Sequence, residues 1–161
     1  MRTRLAWTLS LLLAVVVMSL AVAAQGADAW IGTWKLNLAK STFSPANLAP
    51  KSQTIKQEAM GAGFKATVDG ADAQGKPIHQ ETMSMFDGKS SEVKGAPDAN
   101  TTRVYKRIDA RSYEYVQSTA GKVTVTARTV VSADGKTRTI TTTGTNAQGV
   151  KVNNVAVYDR Q

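Results

Sequence analysis

The chain is expected to fold as an all-β domain, an antiparallel up-and-down meander closing into a barrel of roughly eight to ten strands. Three observations lead there. Apolar and polar residues alternate with period two from Trp30 to Tyr158, and no stretch sustains a helical period. Turn-forming pairs such as Asp87-Gly88, Ala120-Gly121 and Asp134-Gly135 recur at short intervals, so successive strands join locally and pair antiparallel. A meander of this length exposes two edges unless it closes on itself, and closure removes both. An open β-sandwich is the alternative arrangement of the same strands.

The N-terminal segment stands apart from this pattern. Arg2 and Arg4 give a positive start, Leu5 to Ala24 is predominantly apolar, and Ala21-Val22-Ala23-Ala24 supplies small residues. These are the three parts of a secretory signal, residues 1–24, cleaved near Ala23 or Ala24. Ala27-Asp28-Ala29 is a second exit, less suited because its middle residue is acidic. The expected destination is the periplasm or the exterior. Retention as an N-terminal inner-membrane anchor is the alternative, because the apolar run approaches the ~20 residues that span a bilayer. The chain has no Cys, which excludes a lipid attached to Cys and any disulfide.

Residues 25–161, roughly 137 in number, form a single domain able to bury a core without staples. The first strand, Trp30 to Leu38, sets Trp30, Gly32, Trp34, Leu36 and Leu38 on one face. Ala39 to Pro50 breaks the alternation with Ser41, Ser44, Pro45, Asn47 and Pro50 and reads as a long connection. A short helical turn is expected to open at Ser41-Thr42-Phe43, and Phe43 and Leu48 to plug one end of the barrel. Strands follow at Ser52 to Ala59, from Phe64 through Val68, and at Pro77 to Phe86, where Asp87-Gly88 predicts a hairpin into Lys89 to Lys94. Gly95 to Asn100 interrupts. Strands then run over Thr101 to Ile108, Arg111 to Ser118, Val123 to Val131, Thr137 to Thr143 and Val150 to Tyr158. Thr137, Thr139, Thr141 and Thr143 share one face, which suits either an outer surface or a wet lumen.

The net charge is +8, and +6 without Arg2 and Arg4. The basic residues are scattered (Lys51, Lys56, Lys65, Lys76, Lys89, Lys94), and only Arg103, Lys106 and Arg107 lie close together. Nucleic-acid binding would want clusters interleaved with aromatics. The expected role of this charge is a solvated basic surface with weak attraction to anionic envelope lipid or polymer. Oligomeric state is not readable from the pattern.

Catalytic groups are few. His79 is the sole His and no Cys is present, so a His-cluster metal site and a Cys nucleophile are excluded within one chain. No Gly-x-Ser-x-Gly elbow occurs. His79 alternates onto one face with Glu81, Met83 and Met85, opposite Ile78, Gln80, Thr82, Ser84 and Phe86, and is expected at the surface or rim. Glu81, Glu92 and Glu114 fall on different strands with no motif around them. The expectation is a protein without catalytic activity, metal or cofactor. Side chains with apolar bodies and polar tips instead suggest a lumen that grips a small molecule. The candidate lining is Trp34, Phe64, Met83, Tyr113, Tyr115 and Tyr158.

Gly32-Thr33-Trp34, placed after an export signal and ahead of a β meander, resembles the first-strand motif of lipocalins. The resemblance implies that a basic residue of the last strand packs across the Trp ring and shuts the barrel floor. Arg160 in Val157-Tyr158-Asp159-Arg160-Gln161 fits that role, with Gly32 and Trp34, and Lys151 fits it less well. From Gly32 to Gln161 the chain is similar to the small exported lipocalin-like (calycin-type) proteins of bacteria, most of unknown function. Two features of lipocalins are absent, the Thr-Asp-Tyr middle motif and the disulfide. Avidins open with a similar Gly-Thr-Trp but build pockets from several Trp residues, and here only Trp30 and Trp34 follow the signal. The function implied is non-covalent binding or carriage of a small hydrophobic or amphipathic molecule in the cell envelope. The alternatives are a ligand-free envelope interaction protein acting through its basic surface and an enzyme on a lipophilic substrate.

Overall fold

The computed structural model describes residues 27–161. The export signal expected over residues 1–24 lies outside the described residues. Ten antiparallel strands follow in chain order: β1 Gly32–Leu36, β2 Ser52–Met60, β3 Gly63–Ala71, β4 Pro77–Ser84, β5 Ser90–Glu92, β6 Thr101–Arg107, β7 Ser112–Thr119, β8 Lys122–Val131, β9 Thr137–Thr145 and β10 Lys151–Arg160. Their spatial order is β4-β3-β2-β1-β10-β9-β8-β7-β6-β5. This is an up-and-down meander whose first strand pairs with its last, curling the sheet into a nearly closed barrel. The open sandwich is thereby set aside.

Closure is completed at β4 and β5, the two ends of that order. They do not form a ladder. A single bridge joins Glu81 to Lys94, with hydrogen bonds of 3.0 and 2.9 Å between the two backbones. The hairpin expected at Asp87-Gly88 is therefore corrected to a looped connection. Phe86 adopts a left-handed φ of +54° and turns its ring inward, 5.5 Å from Phe64 and 6.0 Å from Trp30 between centroids. Burying that ring under the barrel separates the strand ends that a two-residue turn would have paired. Gly95 makes the close approach at the seam, with φ +71° and the place of a Cβ only 2.1 Å from the His79 carbonyl oxygen.

One end of the barrel is a packed floor. Trp30, Trp34 and Phe64 are each no more than 1% exposed, and Tyr105, Tyr113 and Tyr158 join them in the core. Edge-on contacts link Trp30 to Tyr113 and Phe64 to Tyr105, at 5.3 and 5.2 Å between centroids. Trp34 donates its indole N–H to the Trp30 carbonyl at 2.9 Å, so this buried ring keeps its polar atom satisfied.

Arg160 closes the floor from outside. Its guanidinium carbon stands 4.2 Å from the centre of the Trp34 ring. It donates to the carbonyls of Gly135 at 2.7 Å and Ile31 at 3.0 Å, and to that of Ala29. Gly32 makes room for it, since a Cβ there would lie 2.6 Å from Arg160 Nη1 and φ is +133°. Lys151 sits at the opposite end of β10, paired with Thr145.

The long connection covers the other end. Its two 3-10 turns fall at Leu38–Lys40 and Ala46–Leu48, displacing the turn expected at Ser41-Thr42-Phe43, which instead bridges to β10 through Thr42 and Val155. Leu38 is correspondingly not on the core face of β1, and is 46% exposed.

Candidate functional site

Between the aromatic floor and the long connection lies a cavity of about 240 Å³. The alternation of each strand decides what faces it. On β3 the inward residues are Phe64, Ala66 and Val68; on β10 they are Tyr158, Ala156 and Asn154. Phe43, Leu48 and Pro50 of the long connection line its upper end, which is the plugging role expected of Phe43 and Leu48.

Of the six expected lining residues, four face the cavity: Phe64, Tyr113, Tyr115 and Tyr158. Trp34 is inside the barrel but lies in the floor, fully covered, and does not line the cavity. Met83 is a correction. It is 48% exposed on the outer face of β4, while its neighbours Thr82 and Ser84 are buried. Period two forces this: Met83 shares its face with His79, and an outward His79 carries Met83 outward with it. His79 is itself at the surface, 2.7 Å from the Asp69 carboxylate.

The cavity also contains groups the sequence reading passed over. Arg138 is only 2% exposed. Its Nη1 donates to Gln57 Oε1 at 2.8 Å and its Nη2 to the Tyr113 hydroxyl at 2.5 Å, while Nε has no partner. Its charge lies 5.8 Å from the centre of the Tyr113 ring and 6.0 Å from that of Trp34. Arg103 also points into the lumen. It donates through Nε to Gln117 Oε1 at 2.9 Å and stacks over Tyr115, 4.6 Å from the ring centre. Burial opposes the Arg103 charge, but Tyr115 and Tyr105 beside it outweigh burial and raise its pKa. Burial pushes the Tyr158 phenol up, against the lowering effect of Arg138, and the hydroxyl donates to Gln53.

A signal for both arginines was present. If the Thr137 to Thr143 stripe faces outward, Arg138, Ile140 and Thr142 must face inward. Arg103 likewise shares the parity of Tyr105. The stripe was legible, but its direction was not, because Thr suits either face. Arg103 therefore leaves the small basic cluster expected at the surface, and only Lys106 and Arg107 of that group remain outside.

No protein-family model matches the chain, and no curated protein matches it in sequence. Among solved structures it is similar to a de novo designed, fluorescence-activating β-barrel, at 8% identity and a TM-score of 0.44, covering 84% of this chain and 96% of that one.

Proposed function

We propose that this chain is an exported, lipocalin-like carrier that holds a small hydrophobic or amphipathic molecule non-covalently in its barrel lumen and does not transform it. The supporting observation is the cavity of about 240 Å³, lined by aromatic and aliphatic bodies with a few polar tips pointing inward. Such a lining binds through apolar area at roughly 25 cal/mol per Å² buried and orients its guest by the polar groups. The His79–Asp69 pair, the chain's nearest approach to an acid–base couple, stands on the outer face away from this space.

The proposal of export fits cleavage near Ala23 or Ala24 rather than after Ala29. Ala29 donates its N–H to Ala110 at 2.8 Å, and Asp28 pairs with Arg107 at 2.6 Å, so both residues are tied to the floor.

Native mass spectrometry of protein purified without detergent tests the reading. The expected result is a discrete added mass that organic extraction removes and that Ala66→Phe, which fills the lumen, prevents. A clean apo mass for the parent protein, with no small molecule raising its melting temperature, would transfer the role to the outer surface.

A further inference from the structure

The lumen is charged with one sign only. Arg138 and Arg103 both border the cavity, whereas all twelve carboxylates of the chain lie elsewhere. Arg138 is the more consequential of the two. A guanidinium stays protonated in a protein interior, so its charge is not relieved by losing a proton. Its neighbours Gln57 and Tyr113 are neutral acceptors, and its Nε is left without one. Buried charges are ordinarily paired with an opposite charge, and here the chain supplies none.

One hydroxyl beside the cavity is also free to donate. Thr82 borders it and its hydroxyl has no partner, whereas the Tyr158 and Tyr113 hydroxyls already donate to Gln53 and Gln57. Guanidinium N–H groups facing a low-dielectric space favour an anion, because charge-assisted hydrogen bonds are about twice as strong as neutral ones. Around these donors stand Phe64, Ile55, Val68 and Ile140, which take an apolar body.

Size narrows the class further. A space of about 240 Å³ is larger than the ~150 Å³ apolar cavity that admits benzene and smaller than the ~300–1,000 Å³ of pockets for drug-sized molecules, which favours a compact guest.

From these observations we infer that the lumen selects a small organic anion, a monocarboxylate with a compact aromatic or short aliphatic body, whose head group neutralises Arg138 and Arg103. This deepens the carrier reading and rests on it. A neutral guest would leave both cations unpaired, and a cationic guest would add a third positive charge to the same space.

The test compares head groups on matched bodies by isothermal titration calorimetry on the full chain. The probes are 3-phenylpropanoate and 3-phenylpropan-1-ol, with octanoate, 1-octanol and octylammonium as the aliphatic set. Carboxylates should bind at least tenfold more tightly than the alcohols, and octylammonium should not bind. Arg138→Met and Arg103→Met should each reduce the ratio of carboxylate to alcohol affinity. If Arg138→Met fails to fold, the ranking in the parent protein and Arg103→Met still decide. Alcohols binding as tightly as carboxylates, or variants that keep the full preference, would overturn the anion inference and leave the carrier reading standing. Absence of binding by every probe would overturn both.

Discussion

Replacing Arg160 with Met should lower the melting temperature by about 4–10 °C, a magnitude that follows from what the guanidinium touches. It covers the Trp34 ring at 4.2 Å, a contact worth about 0.5–1 kcal/mol at a partly exposed site. It also donates to the carbonyls of Gly135, Ile31 and Ala29, bonds worth about 0.5–1.5 kcal/mol each. Arg160 is exposed, so water replaces part of what those carbonyls lose, and about half of the sum survives. The net cost is then about 1–3 kcal/mol, an appreciable share of the 5–15 kcal/mol that holds a typical domain. Arg160→Lys should recover only part of the loss, because an ammonium keeps the charge but not the planar fork that reaches three carbonyls. A double-mutant cycle with Trp34→Leu isolates the ring contact, with an expected coupling of about 0.5–1 kcal/mol. The assay is thermal unfolding followed by circular dichroism. A shift under about 2 °C for Arg160→Met, with no coupling to Trp34, would refute the reasoning and make Arg160 a solvated side chain.

Other expectations are open to equally direct measurement. Phe64→Ala should cost about 3–5 kcal/mol in urea unfolding, whereas Met83→Gln should change stability by less than about 0.5 kcal/mol; equal costs would contradict the assigned faces. Gly95→Ala should open the seam, since a Cβ would stand 2.1 Å from the His79 carbonyl oxygen. Faster amide exchange at Glu81 and Lys94, the two residues of the seam bridge, is the readout, and unchanged protection would count against it. The hydrogen bond and negative charge of Asp69 raise the His79 pKa above its ordinary value of about 6.5. The stabilisation from this pair is therefore fully present below the ordinary value and fades as pH rises through the raised one. Asp69→Asn should return the His79 titration, followed by NMR, toward the ordinary value, and an unmoved titration would refute the pairing.

Much of the fold was legible because the information is local. Asp134-Gly135 and Ala120-Gly121 break the chain where turns form, and the strands beside them alternate with period two in a way that few other structures accommodate. The pairing of Arg160 with Trp34 was reachable through the resemblance at the two chain ends, which a meander must bring together if it closes. The seam was not legible. Asp87-Gly88 is good hairpin chemistry, and only the demand of the aromatic floor for the Phe86 ring pulls that connection away from a tight turn.

The site was half legible for a related reason. Tyr113, Tyr115, Tyr158 and Phe64 are inward because large aromatic rings gain most from burial, so their side of the strand follows from chemistry. Met83 and Arg138 go the other way, a flexible apolar residue outside and a charged one inside. Neither placement follows from the residue's own preference. Each is imposed by its strand, because a one-residue slip would turn every other side chain on that strand to the wrong face.

The amino-acid sequence by itself determined an all-β meander, most of the places where it turns and the aromatic rings that face inward, since alternation and turn chemistry act within a few residues. The tertiary structure alone decided which faces of β4 and β9 look inward, where the barrel nearly fails to close, and that Arg138 and Arg103 share a lumen with no carboxylate. Those facts depend on the register of each strand against its neighbours, and on the pairing of β1 with β10 and the Glu81–Lys94 bridge that close the barrel, where the parity chosen by the most strongly buried residues carries the rest with it.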